Sequence, residues 1–215
     1  MTAGHTETPE PPSPFKPQEI RLAAGTRIHR VYDNRYEATQ FNPGPKGGGR
    51  FHFFGNPQVP VLYTAETQEA AVAETLLRNM PVTGGLLAYG DYKSKVMAAL
   101  TIRRDIRLAS FLGTGLRALR VEARQLTDTA GESYPETRKC VEAAHSAGYE
   151  GLAWMSRRNN SDRAYVFFGD RVESTDLDVV PETGKIFALG PGQDWLIDLC
   201  GPMHIDVMPP PALSP

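Results

Sequence analysis

The sequence predicts a mixed α/β domain. Three observations carry this: short β-branched and aromatic runs alternate with stretches of helical spacing, turn-forming residues separate them, and proline crowds both ends of the chain. A chain of 215 residues with 40% hydrophobic content is long enough to bury one self-sufficient core, so one domain is expected. No repeat of 20 to 50 residues is visible, which argues against solenoids and propellers.

Arg27–Tyr32 and Val59–Thr64 read as strands, because branched and aromatic residues alternate with polar ones. Thr67 is suited to cap a helix that holds Gln68 and Glu69 in its first turn and reaches about Arg78, which puts Glu74 in mid-helix. Leu86–Tyr92, Val96–Ile102 and Ile106–Ala109 read as further strands, and Leu116–Leu119 as a short helix. Pro135 fits the first turn of another helix. Gly148 suits the left-handed position beyond its end, so that helix should close near Ala147. Gly151–Met155 then reads as a strand, 156–162 as a polar loop and Ala164–Phe168 as a buried apolar strand.

The ends differ from the middle. Residues 1–19 include Pro9, Pro11, Pro12, Pro14 and Pro17, and residues 207–215 include Pro209, Pro210, Pro211 and Pro215. Proline cannot sustain a backbone hydrogen-bond ladder, so both segments are expected to be disordered tails around a folded span of 20–206.

Composition excludes several functions. A formal charge of -2 offers no broad footprint for nucleic acid or anionic lipid, although a local basic patch is compatible with it. There is no apolar run of the roughly 20 residues that cross a bilayer, and the amino terminus has no secretion signal, so a soluble cytoplasmic protein is expected. Cys140 and Cys200 are too few and too far apart for a zinc site, and the five histidines lack metal-ligand spacing. No metal is expected.

Five sites in the sequence point to chemistry, and each also has an ordinary reading. The glycines Gly47, Gly48 and Gly49 allow a close backbone approach, and Arg50 adds a planar fork of donors for phosphate; alternatively they form a turn with a solvated arginine. Glu74 has Ala70, Ala71, Leu77 and Arg78 at helical spacing. Its carboxylate thus emerges among small apolar neighbours with room for a ligand, or pairs with Arg78 on the surface. Tyr63 ends a strand, either as a rim residue of the core or as a ring facing a ligand. Arg30 shares a strand face with Ile28 and Tyr32; if Ile28 is inward, Arg30 needs an anionic partner. Ser156 follows a strand end, where capping a turn is the commoner use and binding a ligand the alternative. Together they suit an anionic ligand with a planar ring that reacts at a carbon becoming cationic, a description that a nicotinamide dinucleotide fits.

The order Arg30, Gly48-Gly49-Arg50, Val61-Leu62-Tyr63, Ala73-Glu74 and Gly151-Leu152-Ala153-Trp154-Met155-Ser156 resembles the RES domain, the toxin half of RES-Xre toxin-antitoxin pairs. The resemblance spans roughly 26–168. It implies an ADP-ribosyltransferase-like single domain, with a split or twisted central sheet flanked by helices. It also implies an enzyme that consumes NAD+ by hydrolysis or phosphorolysis at the nicotinamide-ribose bond. Carried over by motif, Arg50, Glu74 and Ser156 are the family's arginine, glutamate and serine, with Arg30 and Tyr63 as further pocket residues. Glu74, Arg50 and Tyr63 are then catalytic, and Arg30, Arg50, Tyr63 and Ser156 bind NAD+. NAD+ is a substrate rather than a cofactor, and phosphate is a further co-substrate. The implied partners are an Xre-type antitoxin and a second copy of the chain, without membrane or direct nucleic-acid binding. The chain departs from the family where tryptophan and asparagine commonly follow the glycine-arginine pair, carrying Phe51 and His52 instead. Two rival readings stay open: a mono-ADP-ribosyltransferase that modifies a protein or nucleic acid, and a non-catalytic binding module. The second would use Arg103, Arg104, Arg107, Arg117, Arg120 and Arg124.

Overall fold

A computed structural model describes residues 7–44, 49–129 and 133–211. Its centre is a sheet in the order β1 (Glu19–Leu22), β6 (Ile106–Phe111), β7 (Gly151–Met155), β8 (Arg163–Phe168), β3 (Val61–Ala65), β2 (Arg27–Asp33), β5 (Lys95–Ile102) and β10 (Lys185–Ile186), with β9 (Leu177–Val179) also on β5. Only β6 and β7 run parallel within it. β2 pairs with β5 along its whole length, from Arg27 with Thr101 to Asp33 with Lys95, and β3 pairs with β8 over all five of its residues. Between β2 and β3 the ladder holds only at His29 and Ala65. The sheet therefore opens into two halves there, and the opening holds the cavity described below.

Three packed clusters surround this sheet. On one face Phe51, Phe111, Trp154, Val166 and Phe168 meet α5 (Tyr134–Ser146). The helix buries Thr137, Cys140, Val141 and Ala144, spaced three and four residues apart as an apolar stripe requires. On the other face Ile28, Leu62, Leu100, Leu108, Tyr165 and Phe167 pack together. Under α1 (Gln68–Thr75) and α6 (Gly190–Cys200), Val31, Ala65, Met97, Phe187 and Leu196 form the third. Burying a side chain of this size stabilises the fold by about 1.5 to 3 kcal/mol. Both cysteines are free and buried, and burial pushes each thiol up to about 11.

The expected elements reappear with some differences. Thr67 caps α1, its hydroxyl oxygen accepting the Ala70 N–H at 3.1 Å. The helix stops at Thr75 rather than Arg78, because Leu76 and Leu77 both return their N–H groups to the Val72 carbonyl. The strand expected over Leu86–Tyr92 is a short β4 (Gly85–Leu87), parallel to β11 (Ile205–Val207), followed by one helical turn, α2 (Tyr89–Tyr92). Gly90 and Asp91 break the extended run, and Tyr92 is fully buried from the turn. The short helix near Leu116 is α3 (Thr114–Ala118), and α5 begins around Pro135 and gives way to Gly148 at φ 89°. Besides β1, β9, β10 and β11, α4 (Ala123–Leu126) and α6 have no counterpart in the sequence reading.

Residues 7–18 fall within the segment expected to be a tail, yet they lie against the domain. The Thr8 hydroxyl donates to the Gln125 carbonyl at 2.5 Å, Glu10 pairs with Lys139, and Phe15 packs on the first cluster. Gly47 and Gly48 lie outside the described residues.

Candidate active site

A cavity of about 1090 Å³ occupies the opening between β2 and β3. Glu74 reaches it from the last turn of α1. The Ser156 hydroxyl donates to Glu74 Oε1 at 2.8 Å and the Arg157 backbone N–H to the same oxygen at 3.1 Å. Ser156 is fully buried. Among the described residues Oε2 has no hydrogen-bond partner, so one oxygen is anchored and the other is left for a ligand. The surface pair with Arg78 does not form; the Arg78 carbonyl instead accepts from Arg158 Nε at 3.2 Å.

The loop after β7 holds this arrangement because it is tied to the start of α1. The cap residue Thr67 donates through its hydroxyl to Asp162 Oδ2 at 3.1 Å, and Ser161 donates to the same oxygen at 3.0 Å. The Ser156 N–H closes the loop on the Asp162 carbonyl at 3.0 Å. One threonine thus fixes both the helix that carries Glu74 and the loop that grips it.

Arg50 comes from the glycine turn. Its Nε and Nη2 donate to the Thr129 hydroxyl and carbonyl, each at 3.3 Å, and its own carbonyl accepts from the buried Thr137 hydroxyl at 2.6 Å. Its guanidinium also lies over the Phe51 and Tyr134 rings, 5.8 Å from each centroid. Phe51 anchors the turn: it is fully buried, edge-on to Trp154 at 4.9 Å and to Phe111 at 6.0 Å. Gly49 is needed for a close approach, since a Cβ there would sit 2.1 Å from the His52 ring.

Tyr63 lies on the cavity wall, with its hydroxyl 2.8 Å from His52 Nδ1. Burial pushes its phenol well above the usual tyrosine range, more than a hydrogen bond from the Phe51 backbone and the charge of Arg50 draw it down. On β2 it is His29 that alternates onto the Tyr63 side. Burial, more than the charges of Arg27 and Lys185, lowers its imidazole below the ordinary 6.5 against the opposing pull of Glu69.

The structure therefore gathers Arg50, Tyr63 and Glu74 around one opening, and Ser156 stands buried behind Glu74 without lining it. Arg30 also touches the wall, but its guanidinium turns to the carbonyls of Ala38 at 2.5 Å and Glu37 at 3.5 Å. Those carbonyls stand where an anionic partner was expected, and burial pulls the group down to about 10. His29, His52, Trp154 and Arg157 line the same cavity and were not singled out from sequence. His52 had left a signal as a departure from the family pattern, and Trp154 as part of the 151–156 motif.

Charge around the cavity is uneven. Arg30, Arg50, Arg78, Lys95, Arg157 and Arg158 line it against Glu74 and Asp91. Four of the six arginines of the binding-module reading are engaged with carboxylates: Arg103 with Asp178 at 3.3 Å, Arg104 with Glu150 at 2.5 Å and Asp176 at 3.0 Å, Arg107 with Glu19 at 2.9 Å, and Arg124 with Glu122 at 2.5 Å. Among the described residues no acidic, histidine or cysteine group is arranged to hold a metal ion, and no helix is long and apolar enough to cross a membrane.

A family model described as the RES domain matches residues 26–195. No curated protein matches the chain. Among solved structures, a chain in the crystal structure of the M. tuberculosis MbcT-MbcA toxin-antitoxin complex is 12% identical, with a TM-score of 0.57, over 76% of this chain and 85% of that one. At that identity the likeness establishes a shared mixed α/β fold. Matched by the family model from the first long strand to the last helix, the chain belongs to the RES domain family.

Proposed function

We propose that this chain is a toxin enzyme that consumes NAD+ by breaking the bond between nicotinamide and ribose. The observation that carries the reading is the Glu74 carboxylate, fixed through one oxygen by Ser156 and the Arg157 N–H inside a basic cavity. In this reaction the glycosidic bond breaks with its electron pair leaving on nicotinamide, which departs neutral. Positive charge develops on the ribose. A carboxylate held beside that carbon stabilises the charge in the transition state more than in the ground state. Water or phosphate then adds to the ribose carbon from solution and gives up a proton, which makes the enzyme a glycohydrolase or a phosphorylase.

The other groups have positional roles. Arg50 and Arg157 hold pyrophosphate oxygens, each charge-assisted bond contributing about 1.5 to 3 kcal/mol. Tyr63 offers its ring to the nicotinamide. Ser156 acts through Glu74 rather than as a nucleophile, because it is fully buried behind the carboxylate it donates to and does not line the cavity. NAD+ enters as substrate, with no separate cofactor. The toxin-antitoxin complex among the similar structures supports an antitoxin protein as partner, and the family resemblance adds that it is of the Xre type. Self-association and action in the cytoplasm complete the reading.

The test is release of nicotinamide from NAD+ by the purified chain, with and without phosphate, beside E74Q. The wild-type chain should release nicotinamide, and E74Q should turn over about 10²-fold more slowly or worse while binding changes less. Labelled product in a macromolecule instead of small molecules would assign a mono-ADP-ribosyltransferase. Full turnover by folded E74Q would remove Glu74 from the mechanism. Growth arrest on expression, relieved by the product of an adjacent gene, checks the toxin and partner assignments.

A further inference from the structure

Tyr63 is held by more than its strand. Its hydroxyl oxygen lies 2.8 Å from His52 Nδ1. The two rings meet edge to face, with centroids 5.2 Å apart at 74°, and Tyr63 meets Trp154 similarly at 5.9 Å and 77°. His52 is fixed in turn. Its backbone exchanges hydrogen bonds with Gly49, N to O at 3.5 Å and O to N at 3.3 Å, and its imidazole fills the space that a side chain on Gly49 would take. Arg50 and Phe51 lie inside that two-ended bridge, so whatever fixes His52 also limits where the Arg50 guanidinium stands.

We propose that His52 is a positioning residue whose Nδ1 accepts the Tyr63 hydroxyl proton, locking the phenol so that the ring, and not the hydroxyl, faces a planar ligand. The inference rests on the reading above that the cavity receives the nicotinamide ring. The direction of the proton follows from the two groups: a phenol that burial keeps protonated has a hydroxyl proton to donate, and Nδ1 stands 2.8 Å away to accept it. The imidazole proton then resides on Nε2. Burial keeps the phenol protonated and so available as donor.

Two measurements decide this independently. In the first, kcat and KM for nicotinamide release are compared for the wild-type chain, H52A, Y63F, the double variant and H52N, whose side-chain oxygen falls about where Nδ1 stands. H52A and Y63F should each lose about tenfold in kcat/KM, the double variant no more than either alone, and H52N should recover most of the loss, with melting temperatures close to wild type. Losses that multiply in the double variant, or H52N as poor as H52A, would overturn the role. In the second, the ¹⁵N shifts of histidine-labelled protein should report His52 with an accepting Nδ1 and a protonated Nε2, and that signature should change in Y63F. A protonated Nδ1, or a shift indifferent to Y63F, would also overturn it. A wild-type chain that releases no nicotinamide would sink the substrate reading, while the nitrogen shifts would still decide whether His52 holds Tyr63.

Discussion

Replacing Ser156 by alanine tests the centre of the proposed mechanism, because it removes one support from Glu74 while leaving the carboxylate. The hydroxyl donates to Oε1 at 2.8 Å from a fully buried position, and the Arg157 N–H still donates at 3.1 Å after the change. A hydrogen bond to a charged group contributes about 1.5 to 3 kcal/mol. At about 1.4 kcal/mol per tenfold, loss of the whole bond in the transition state slows turnover about 10- to 100-fold. S156A should therefore fall between the wild-type chain and E74Q. The assay is nicotinamide release at saturating NAD+, with thermal unfolding to exclude misfolded protein. S156A/E74Q should be no slower than E74Q alone, since the serine acts only through the carboxylate. Full turnover by S156A, or independent losses that multiply in the double variant, would refute the claim that Ser156 works by fixing Glu74.

Three further outcomes follow from the packing and the charges. Phe51→Ala opens a hole among Trp154, Phe111 and the underside of the glycine turn, and should lower unfolding stability by about 3 to 5 kcal/mol in a urea titration, together with activity. Thr67→Ala removes the cap of α1 and the bond to Asp162; it should cost about 1 kcal/mol in the same titration, and turnover should fall because the Ser156 loop loosens. The His29 imidazole is lowered from 6.5 by burial, so as pH falls through 6.5 the unfolded chain takes up a proton that the folded chain resists. Stability should thus be fully present above 6.5 and decline below it, and H29N should flatten that decline in melting temperature between pH 7 and 5. Equal slopes for the two proteins would show that His29 is not the group responsible.

The parts of this fold legible in the sequence are those whose signal is local. Alternation marked β2, β3 and β5, and the Thr67 cap was visible because an N-cap needs only its own side chain and the next turn. α6 opens Gly190-Pro191-Gly192 and carries Gln193, Asp194 and Asp198 among its apolar residues, so its pattern competes with that of a loop until Phe187 and Ile205 are there to cover Leu196. The same division holds in the site. Glu74 and Arg78 satisfied the local rule for an ion pair, yet the partners that won lie 82 and 83 residues further on. For Arg30 the inward position was readable, but the carbonyls of Ala38 and Glu37 that satisfy it depend on how the following segment folds back.

Net charge illustrates how a whole-chain quantity hides a site. The formal charge of -2 argues against a large basic surface, yet basic side chains outnumber acidic ones along the cavity. Several of those cations already have partners: Lys95 meets Asp33 at 3.4 Å and Arg157 pairs with Asp128. Their fields add in the opening between the half-sheets, where low-dielectric walls focus them on an entering anion. Glu74 and Asp91 are the exceptions within that field, and two donors hold one oxygen of Glu74. A dianionic pyrophosphate would be drawn in by the arginines, and the carboxylate would meet the part of the ligand that becomes positive. In the proposed reaction, attraction for the ground state and stabilisation of the transition state would thus fall to different residues. Changes at Arg50 should then act mainly on KM and changes at Glu74 mainly on kcat, and an Arg50 variant that loses kcat with KM unchanged would refute that division.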